Sequence, residues 1–160
     1  MHQSYRGFSE TNIRNTILKM DIVTPEKRSE MMSGIRGKDT RPELMVRKYL
    51  HGLGFRFRLQ KRIGKARPDL VLPKWKTCVF IHGCYWHRHT GCKLASVPKS
   101  NSKFWVEKFA ANVQRDKKNT EELEAIGWSV GIIWECNVRS GKFRETDLSS
   151  LIAEERSWVI

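Results

Sequence analysis

The sequence predicts an α/β domain in which a central mixed β-sheet is flanked by helices. The run 77–81, Thr-Cys-Val-Phe-Ile, is apolar on both faces, as expected of a strand buried inside a sheet. The stretch 101–126 carries large apolar side chains at helical spacing and stops at Gly127. Helical and strand-like segments alternate along 160 residues, a length suited to one layered domain with its own core.

Two helices are expected before the first strand. The Thr-Pro-Glu sequence at 24–26 is typical of a helix start, since proline fits the first turn, and it predicts a helix that runs to about residue 32. Thr40 and Glu43 have the spacing of a capping box, which predicts a second helix that ends at a glycine. Its apolar positions recur at near-helical spacing and include Leu44 and Leu53.

Four further segments complete the expected layout. Residues 55–59 alternate apolar and basic side chains, the two-residue period of a half-buried strand. Residues 68–72 and 129–134 are the other expected strands, and 147–158 is an expected amphipathic C-terminal helix. Residues 1–24 are polar and lack a sustained period, so we expect an N-terminal extension ahead of one domain over 25–160.

The charge balance points to a polyanionic partner. The chain has 30 Lys and Arg against 17 Asp and Glu, a net charge of +13, which favours nucleic acid over a membrane surface. No apolar run approaches the roughly 20 residues that cross a bilayer, and no secretory signal is recognisable, so a cytoplasmic location is expected. In that reducing compartment, four cysteines favour metal binding over disulfides.

A dense group of metal-ligating residues lies between positions 82 and 92. This segment holds three of the five histidines and two of the four cysteines. Thiolates with an imidazole favour a tetrahedral structural zinc site, whose predicted ligands are Cys84, His89, Cys92 and Cys136. The alternative is a set of free buried thiols and surface histidines. Cys78 lies in an apolar strand and is expected in the core.

Asp69 is a candidate ligand for a hard cation. It follows a basic loop at the start of the strand 68–72, although a lone aspartate is more often a solvated turn residue. Together with Glu43, His82 and His87 in a basic chain, it indicates a Mg²⁺ site that acts on phosphate. Because an imidazole titrates near neutrality, His87 suits the role of proton acceptor from water.

Five collinear motifs carry a resemblance to a known family. The sequence over roughly 24–140 resembles the very-short-patch repair (Vsr) endonucleases at positions 67–69, 80–87, 104–108, 112–116 and 134–136. The resemblance implies a restriction-endonuclease-like fold related to the PD-(D/E)xK nucleases. It also implies an enzyme that nicks DNA beside the thymine of a T:G mismatch left by deamination of 5-methylcytosine.

The resemblance assigns roles to individual residues. It makes Asp69 and the backbone carbonyl of Ile81 the magnesium ligands, with residues 80–82 in place of the usual E-x-K. Further active-site positions are matched by His82, His87, Glu43 and Asp116. The zinc ligands that it implies are the same four that ligand chemistry selects.

The resemblance also assigns contacts with DNA. Tyr85, Trp86 and Trp105 match aromatic residues that insert beside the mismatch, and Met32 matches a residue that approaches from the other groove. Core packing is the alternative for each aromatic ring. Arg62, Lys65 and Arg67 are expected to follow phosphates, or to be solvated surface charges.

The sequence is therefore interpreted as a monomeric, zinc-stapled, Mg²⁺-dependent mismatch endonuclease. Its expected partners are T:G duplex DNA, mismatch-repair proteins and a functionally linked cytosine-5 methyltransferase, in the cytoplasm at the nucleoid. Two alternatives stay open. One is a nuclease of the same fold that serves restriction or a mobile element without mismatch dependence, and the other is a non-catalytic zinc-containing DNA-binding module.

Overall fold

The computed structural model describes residues 24–34, 38–98, 101–154 and 156–160. The chain divides into two units, Met1–Gly34 and Ile35–Ile160. In the first unit, helix α1 spans Pro25–Ser33, and the hydroxyl of Thr24 accepts the N–H of Lys27 at 3.3 Å as an N-cap. The predicted first helix is confirmed, whereas residues 1–23 of the expected extension lie outside the described residues.

The second unit is built on a five-stranded mixed sheet. Its strands, in spatial and in chain order, are β1 (Arg58–Leu59), β2 (Leu70–Leu72), β3 (Thr77–His82), β4 (Ser129–Trp134) and β5 (Trp158–Val159). The first three strands pair antiparallel, and β3, β4 and β5 pair parallel. All six residues of β3 are buried, as its apolar sequence predicts.

Helices cover both faces of this sheet, so the predicted α/β class is confirmed. The helices are α2 (Arg41–Gly52), α3 (Ser102–Ala125), α4 (Glu135–Ser140) and α5 (Leu148–Ala153). On one face, Val46 of α2 and Ile152 of α5 pack with the β3 residue Val79. On the other face, Leu123 of α3 packs with Cys78 of the same strand. None of the described helices is long and apolar enough to cross a membrane.

Two predicted boundaries and one predicted buried face are wrong. The segment 55–59 contributes only Arg58–Leu59 to the sheet, because Phe55 is buried in the core without joining the ladder. The predicted C-terminal helix ends at Ala153, and Trp158 enters the sheet as β5 instead. Helix α2 buries Glu43, Val46 and Leu50, whereas Leu44 and Leu53 are exposed.

Candidate functional site

The parallel pairing of β3 with β4 brings the candidate ligands to one edge of the sheet. His82, at the end of β3, lies opposite Trp134, at the end of β4. Cys84 and Cys136 each follow two residues later, so the two thiols start from adjacent strand ends. The loop after β3 then curls back, since the N–H of His89 bonds to the carbonyl of Cys84 at 3.1 Å.

The four predicted metal ligands form one compact group. The donor atoms of Cys84, His89, Cys92 and Cys136 all lie within 4.8 Å of one another. Nδ1 of His89 is 3.6 Å from Sγ of Cys84 and 3.3 Å from Sγ of Cys136. Bonds of about 2.3 Å to sulfur and about 2.05 Å to nitrogen, at tetrahedral angles, separate the two donors by roughly 3.5 Å. The spacing therefore fits a four-coordinate metal ion.

Burial disfavours the charged forms of three of the four candidate ligand side chains. Burial raises the pKa of Cys84 to about 12 and also raises the pKa of Cys136, while a backbone hydrogen bond within the loop lowers the pKa of Cys92. Burial lowers the pKa of His89, which keeps the imidazole neutral, as a metal ligand must be. A bound cation would offset the cost of ionising the buried thiols. Cys78 is fully buried in the core, as predicted.

Asp69 lies where the ladder between β2 and β3 ends. The N–H of Ile81 donates to Oδ2 of Asp69 at 2.7 Å. Leu70 pairs with Val79, and the same register continued by two residues places Pro68 opposite Ile81. Proline has no N–H to donate to the Ile81 carbonyl, which faces the same side as the Ile81 N–H. A carboxylate and a carbonyl oxygen, the ligand types that a hard cation prefers, are thus adjacent.

The negative charge at Asp69 is only partly balanced. Burial raises the pKa of Asp69 to about 6, although the hydrogen bond from the Ile81 N–H lowers it. The nearby Glu43 carboxylate raises this pKa further, and Arg47 lowers it. Glu43 is itself buried and accepts a hydrogen bond from Nη2 of Arg47 at 2.8 Å. Arg47 was missed from the sequence, although its position four residues after Glu43 on a helix is a usable signal. A cation beside Asp69 would relieve the excess of buried carboxylate charge.

His82, His87 and Asp116 form a second group at the same edge. The His82 and His87 rings stack with centroids 3.9 Å apart at 7°, and Nδ1 of His87 is 2.5 Å from Oδ2 of Asp116. Burial, then the neighbouring His87, lowers the pKa of His82 to about 3, so His82 is neutral at neutral pH. A single ion would have to lie in both ring planes, and parallel planes do not meet. The group is therefore a hydrogen-bonded pair with a neutral stacking partner rather than a metal site.

An aromatic cluster adjoins the metal-ligand loop. Tyr85 packs edge-on against Phe109 at 5.1 Å and against Trp86 at 5.1 Å, and Trp86 lies 6.0 Å from Trp105. Tyr85, Trp86 and Trp105 are half-buried, so each keeps an accessible part. Arg88 holds the loop beneath them, because its guanidinium covers the Phe109 ring and donates to the carbonyl of residue 95 at 2.7 Å.

Helix α3 organises both the histidine pair and the aromatic loop. Asp116 holds His87, and one turn earlier Nδ2 of Asn112 donates to the carbonyl of Trp86 at 3.2 Å. Oδ1 of the same Asn112 accepts from Nη2 of Arg115 at 3.0 Å. Asn112 belongs to a motif recognised in the sequence, yet its role was missed because only the fold shows which carbonyl it meets.

The predicted phosphate-contacting residues lie on an exposed loop between β1 and β2. A bridge between Ile63 and Ala66 closes a tight turn in this loop. Arg62 precedes the turn, and Lys65 lies within it. Arg67 is exposed and donates to Oε1 of Gln60 at 2.9 Å. The sequence places Met32 on helix α1, and its side chain lies outside the described part of the chain.

Comparisons with known proteins identify relatives along most of the chain. Residues 20–93 match the model of the family described as DNA mismatch endonuclease Vsr. The type II nicking enzyme V.NmeAIP of Neisseria meningitidis is 46% identical over 87% of this chain and 99% of its own length. The DNA mismatch endonuclease Vsr of Escherichia coli is 37% identical over 87% of each chain.

A solved structure supports the fold independently. The catalytic domain of the homing endonuclease I-Bth0305I superposes with a TM-score of 0.51 at 17% identity, over 73% of this chain and 98% of its own. At that identity the likeness concerns the fold, which is the endonuclease fold that the sequence resemblance implies.

The burial of Asp69 predicts that Asp69→Asn stabilises the fold at neutral pH. A raised folded-state pKa means that the folded form binds the proton more tightly, so stability falls as pH rises from about 4 to about 6 and stays lower above that range. Removing the charge should raise the free energy of unfolding at pH 7.5 by on the order of 2 kcal/mol and leave it unchanged near pH 4. Urea unfolding in magnesium-free buffer measures this, with the exposed Glu145→Gln as control. Equal effects of Asp69→Asn at both pH values would contradict it.

The metal-ligand group predicts that Cys136→Ser removes the bound ion and destabilises the second unit. Metal affinity at such a site is folding free energy, and serine is a poor replacement for a thiolate. We expect less than one tenth of the wild-type metal content by elemental analysis, together with a lower thermal midpoint. Cys78→Ser, in the core, should keep the ion. Full metal content in Cys136→Ser would remove this cysteine from the ligand set.

Proposed function

The chain belongs to the Vsr family of DNA endonucleases, and from this premise we propose that it nicks one strand of duplex DNA beside the thymine of a T:G mismatch. Such mismatches arise when 5-methylcytosine loses its amino group, so the nick would begin very short patch repair. Endonuclease activity on DNA is common to the named relatives. The dependence on a mismatch and the roles of individual residues are proposals.

The observation that carries the proposal is that one loop holds a histidine bonded to a carboxylate, two adjacent aromatic residues and three candidate metal ligands. The loop after β3 carries His87, which is bonded to Asp116, and also the adjacent aromatic residues Tyr85 and Trp86. Cys84, His89 and Cys92 lie in the same loop, and Cys136, which completes the candidate metal-ligand group, lies at the start of helix α4. A single rigid segment can therefore place a proton acceptor at a phosphate and an aromatic wedge at the neighbouring base step.

The chemistry assigned to the site is hydrolysis of one phosphodiester bond. Asp69 and the carbonyl of Ile81 would hold Mg²⁺, which would stabilise the negative charge that develops on the phosphate oxygens and would make the attacking water more acidic. His87, fixed through Nδ1 by Asp116, presents Nε2 to accept the proton of the attacking water. The water oxygen bonds to phosphorus as the bond from phosphorus to the departing sugar oxygen breaks, and that oxygen takes a proton from solvent water. Neutral His82 supports the His87 ring by stacking.

Zinc is the proposed ion at the four-ligand site. Three thiolates and one imidazole in tetrahedral spacing are the ligand set that zinc prefers in structural sites, with no position left for a substrate. Its role would be to tie the loop after β3 to the end of β4. The other proposed DNA contacts are Met32 and three basic residues, Arg62, Lys65 and Arg67.

A second candidate function is strand nicking without a mismatch requirement. It is favoured by a specific observation, namely that the relative at 46% identity is named a type II nicking enzyme. This alternative keeps Asp69 and His87 in the same roles but makes the aromatic residues general DNA contacts.

The first proposal also includes a biological setting. The enzyme would be a monomer with one domain over 25–160 and would act in the cytoplasm at the nucleoid. Its function would be linked to a cytosine-5 methyltransferase and to mismatch-repair proteins.

The test compares matched T:A and mismatched T:G duplexes in one nicking assay. We expect a nick beside the thymine of the T:G duplex at least 100-fold faster than any nick in the T:A duplex, with Mg²⁺ and not without it. Asp69→Asn should abolish nicking while DNA binding stays within about twofold, since the change removes the anionic ligand but keeps size. Equal rates on both duplexes would support the second candidate, and nicking by Asp69→Asn would exclude Asp69 from the chemistry.

The wedge role predicts that Trp86→Ala weakens binding selectively. A lost base stack costs about 1–3 kcal/mol, and a T:G step is easier to open than a matched step. Affinity for the T:G duplex should therefore fall by that amount, while T:A affinity and the salt dependence on both duplexes stay unchanged. Trp75→Ala, at a half-buried indole packed on Phe55, is the control and should change neither affinity. An equal loss on both duplexes would make Trp86 a general DNA contact.

A further inference from the structure

Four aromatic rings form a continuous row from the metal-ligand group to the histidine pair. The indole of Trp134 stacks on the imidazole of His89 with centroids 4.2 Å apart at 3°. The same indole meets His82 edge-on at 5.4 Å and 70°. His82 in turn stacks on His87 at 3.9 Å and 7°. The row thus starts at a ligand of the metal-ion site and ends at the imidazole held by Asp116.

The backbone explains why residue 134 is in this place. Trp134 is the last residue of β4 and lies opposite His82 in the parallel register. The N–H of Trp134 is fixed by the carbonyl of Ile160 at 2.8 Å, so the strand end cannot shift freely. The next residue, Glu135, accepts the N–H of Cys84 at 3.3 Å, which ties the beginning of the ligand loop to the same strand end.

Each ring in the row limits the motion of the next. His89 is held on one side by its contacts with the sulfur atoms and on its face by Trp134. Trp134 therefore has a fixed surface on one side and His82 on the other. His82 is 5% exposed, and the indole edge is part of what keeps its ring parallel to His87. Without the indole, a space opens beside His82, and the ring below His87 loses its lateral support.

We propose that Trp134 is a positioning residue that transmits the order of the metal-ligand site to the His82 and His87 pair. The inference rests on the proposed function in one respect, that His87 accepts a proton in strand nicking. Trp134 acts through His82 and touches neither the DNA nor the scissile phosphate. It therefore sets the rate of the chemical step and leaves DNA affinity unchanged.

The experiment compares Trp134→Phe and Trp134→Leu with the wild-type protein. Single-turnover nicking is measured on whichever duplex the wild type cleaves, together with the Kd for that duplex and the metal content. Phenylalanine keeps a ring on His89 but reaches less far toward His82, whereas leucine removes both contacts. We expect rates reduced about threefold for Trp134→Phe and about tenfold or more for Trp134→Leu, since small misplacements of a reacting group are costly. Kd and metal content should stay at wild-type values in both.

Trp128→Leu is the matched control, because Trp128 is also a half-buried tryptophan beside β4. It packs against the core cluster that contains Leu123 and Cys78. This variant should keep the wild-type rate. Wild-type rates in both Trp134 variants, or rate losses matched by equal losses of DNA affinity, would overturn the proposal. If Trp134→Leu loses its metal, Trp134→Phe decides: a reduced rate with full metal content and unchanged Kd supports the proposal, and any other result overturns it. A wild type that nicks T:A and T:G duplexes equally refutes mismatch dependence and leaves this comparison intact.

Discussion

The parallel pairing of β3 with β4 is the constraint on which the candidate site depends. Parallel strands end at the same edge of a sheet, so residues that follow His82 and Trp134 emerge side by side. An antiparallel pairing would send Cys84 and Cys136 to opposite edges. Parallel pairing also requires a long crossover, and helix α3 supplies it in 24 residues. As that helix leaves the site edge, its middle turns pass the loop, where Asn112 and Asp116 make their contacts.

The same edge concentrates groups that are costly to bury. Asp69 has a raised pKa, so its ionised form carries an unfavourable electrostatic free energy in the metal-free fold at neutral pH, and two of the thiols are harder to ionise than free cysteine. Cations at the two places would offset these costs in different ways. The candidate metal-ligand group offers four ligand atoms from two chain segments, whereas Asp69 and the Ile81 carbonyl would offer only two oxygen ligands. In the proposed function, structural order and reactivity would thus belong to two different sites.

The sequence predicts much of this arrangement, and its failures have identifiable causes. Apolar runs predict β3 and β4 because burial on both faces leaves a composition signal. The alternation of Phe and Arg at 55–59 correctly indicates that Phe55 is buried. Phe55 is not hydrogen-bonded into the sheet, however, so the strand is shorter than expected. Trp158 fits a helical pattern, yet it joins the sheet because Gly131 leaves no Cβ where its indole packs. The metal ligands follow from chemistry, while the contacts of Arg47 and Asn112 depend on tertiary structure that no local pattern encodes.

Mismatch selectivity, if it is to arise at this site, cannot come from charge. The phosphates of a matched and a mismatched duplex are the same, and a chain of net charge +13 attracts both. Discrimination must therefore come from the energy needed to deform the base stack, which is lower beside a T:G wobble pair. A wedge can use that difference only if its own loop does not yield first. Arg88 on the Phe109 ring and Asn112 on the Trp86 carbonyl hold the aromatic loop to helix α3, and an ion at the candidate metal-ligand group would hold it to the start of helix α4. With the loop fixed by both attachments, the proposed wedge would place the deformation on the DNA, where the sequence of the step determines its cost.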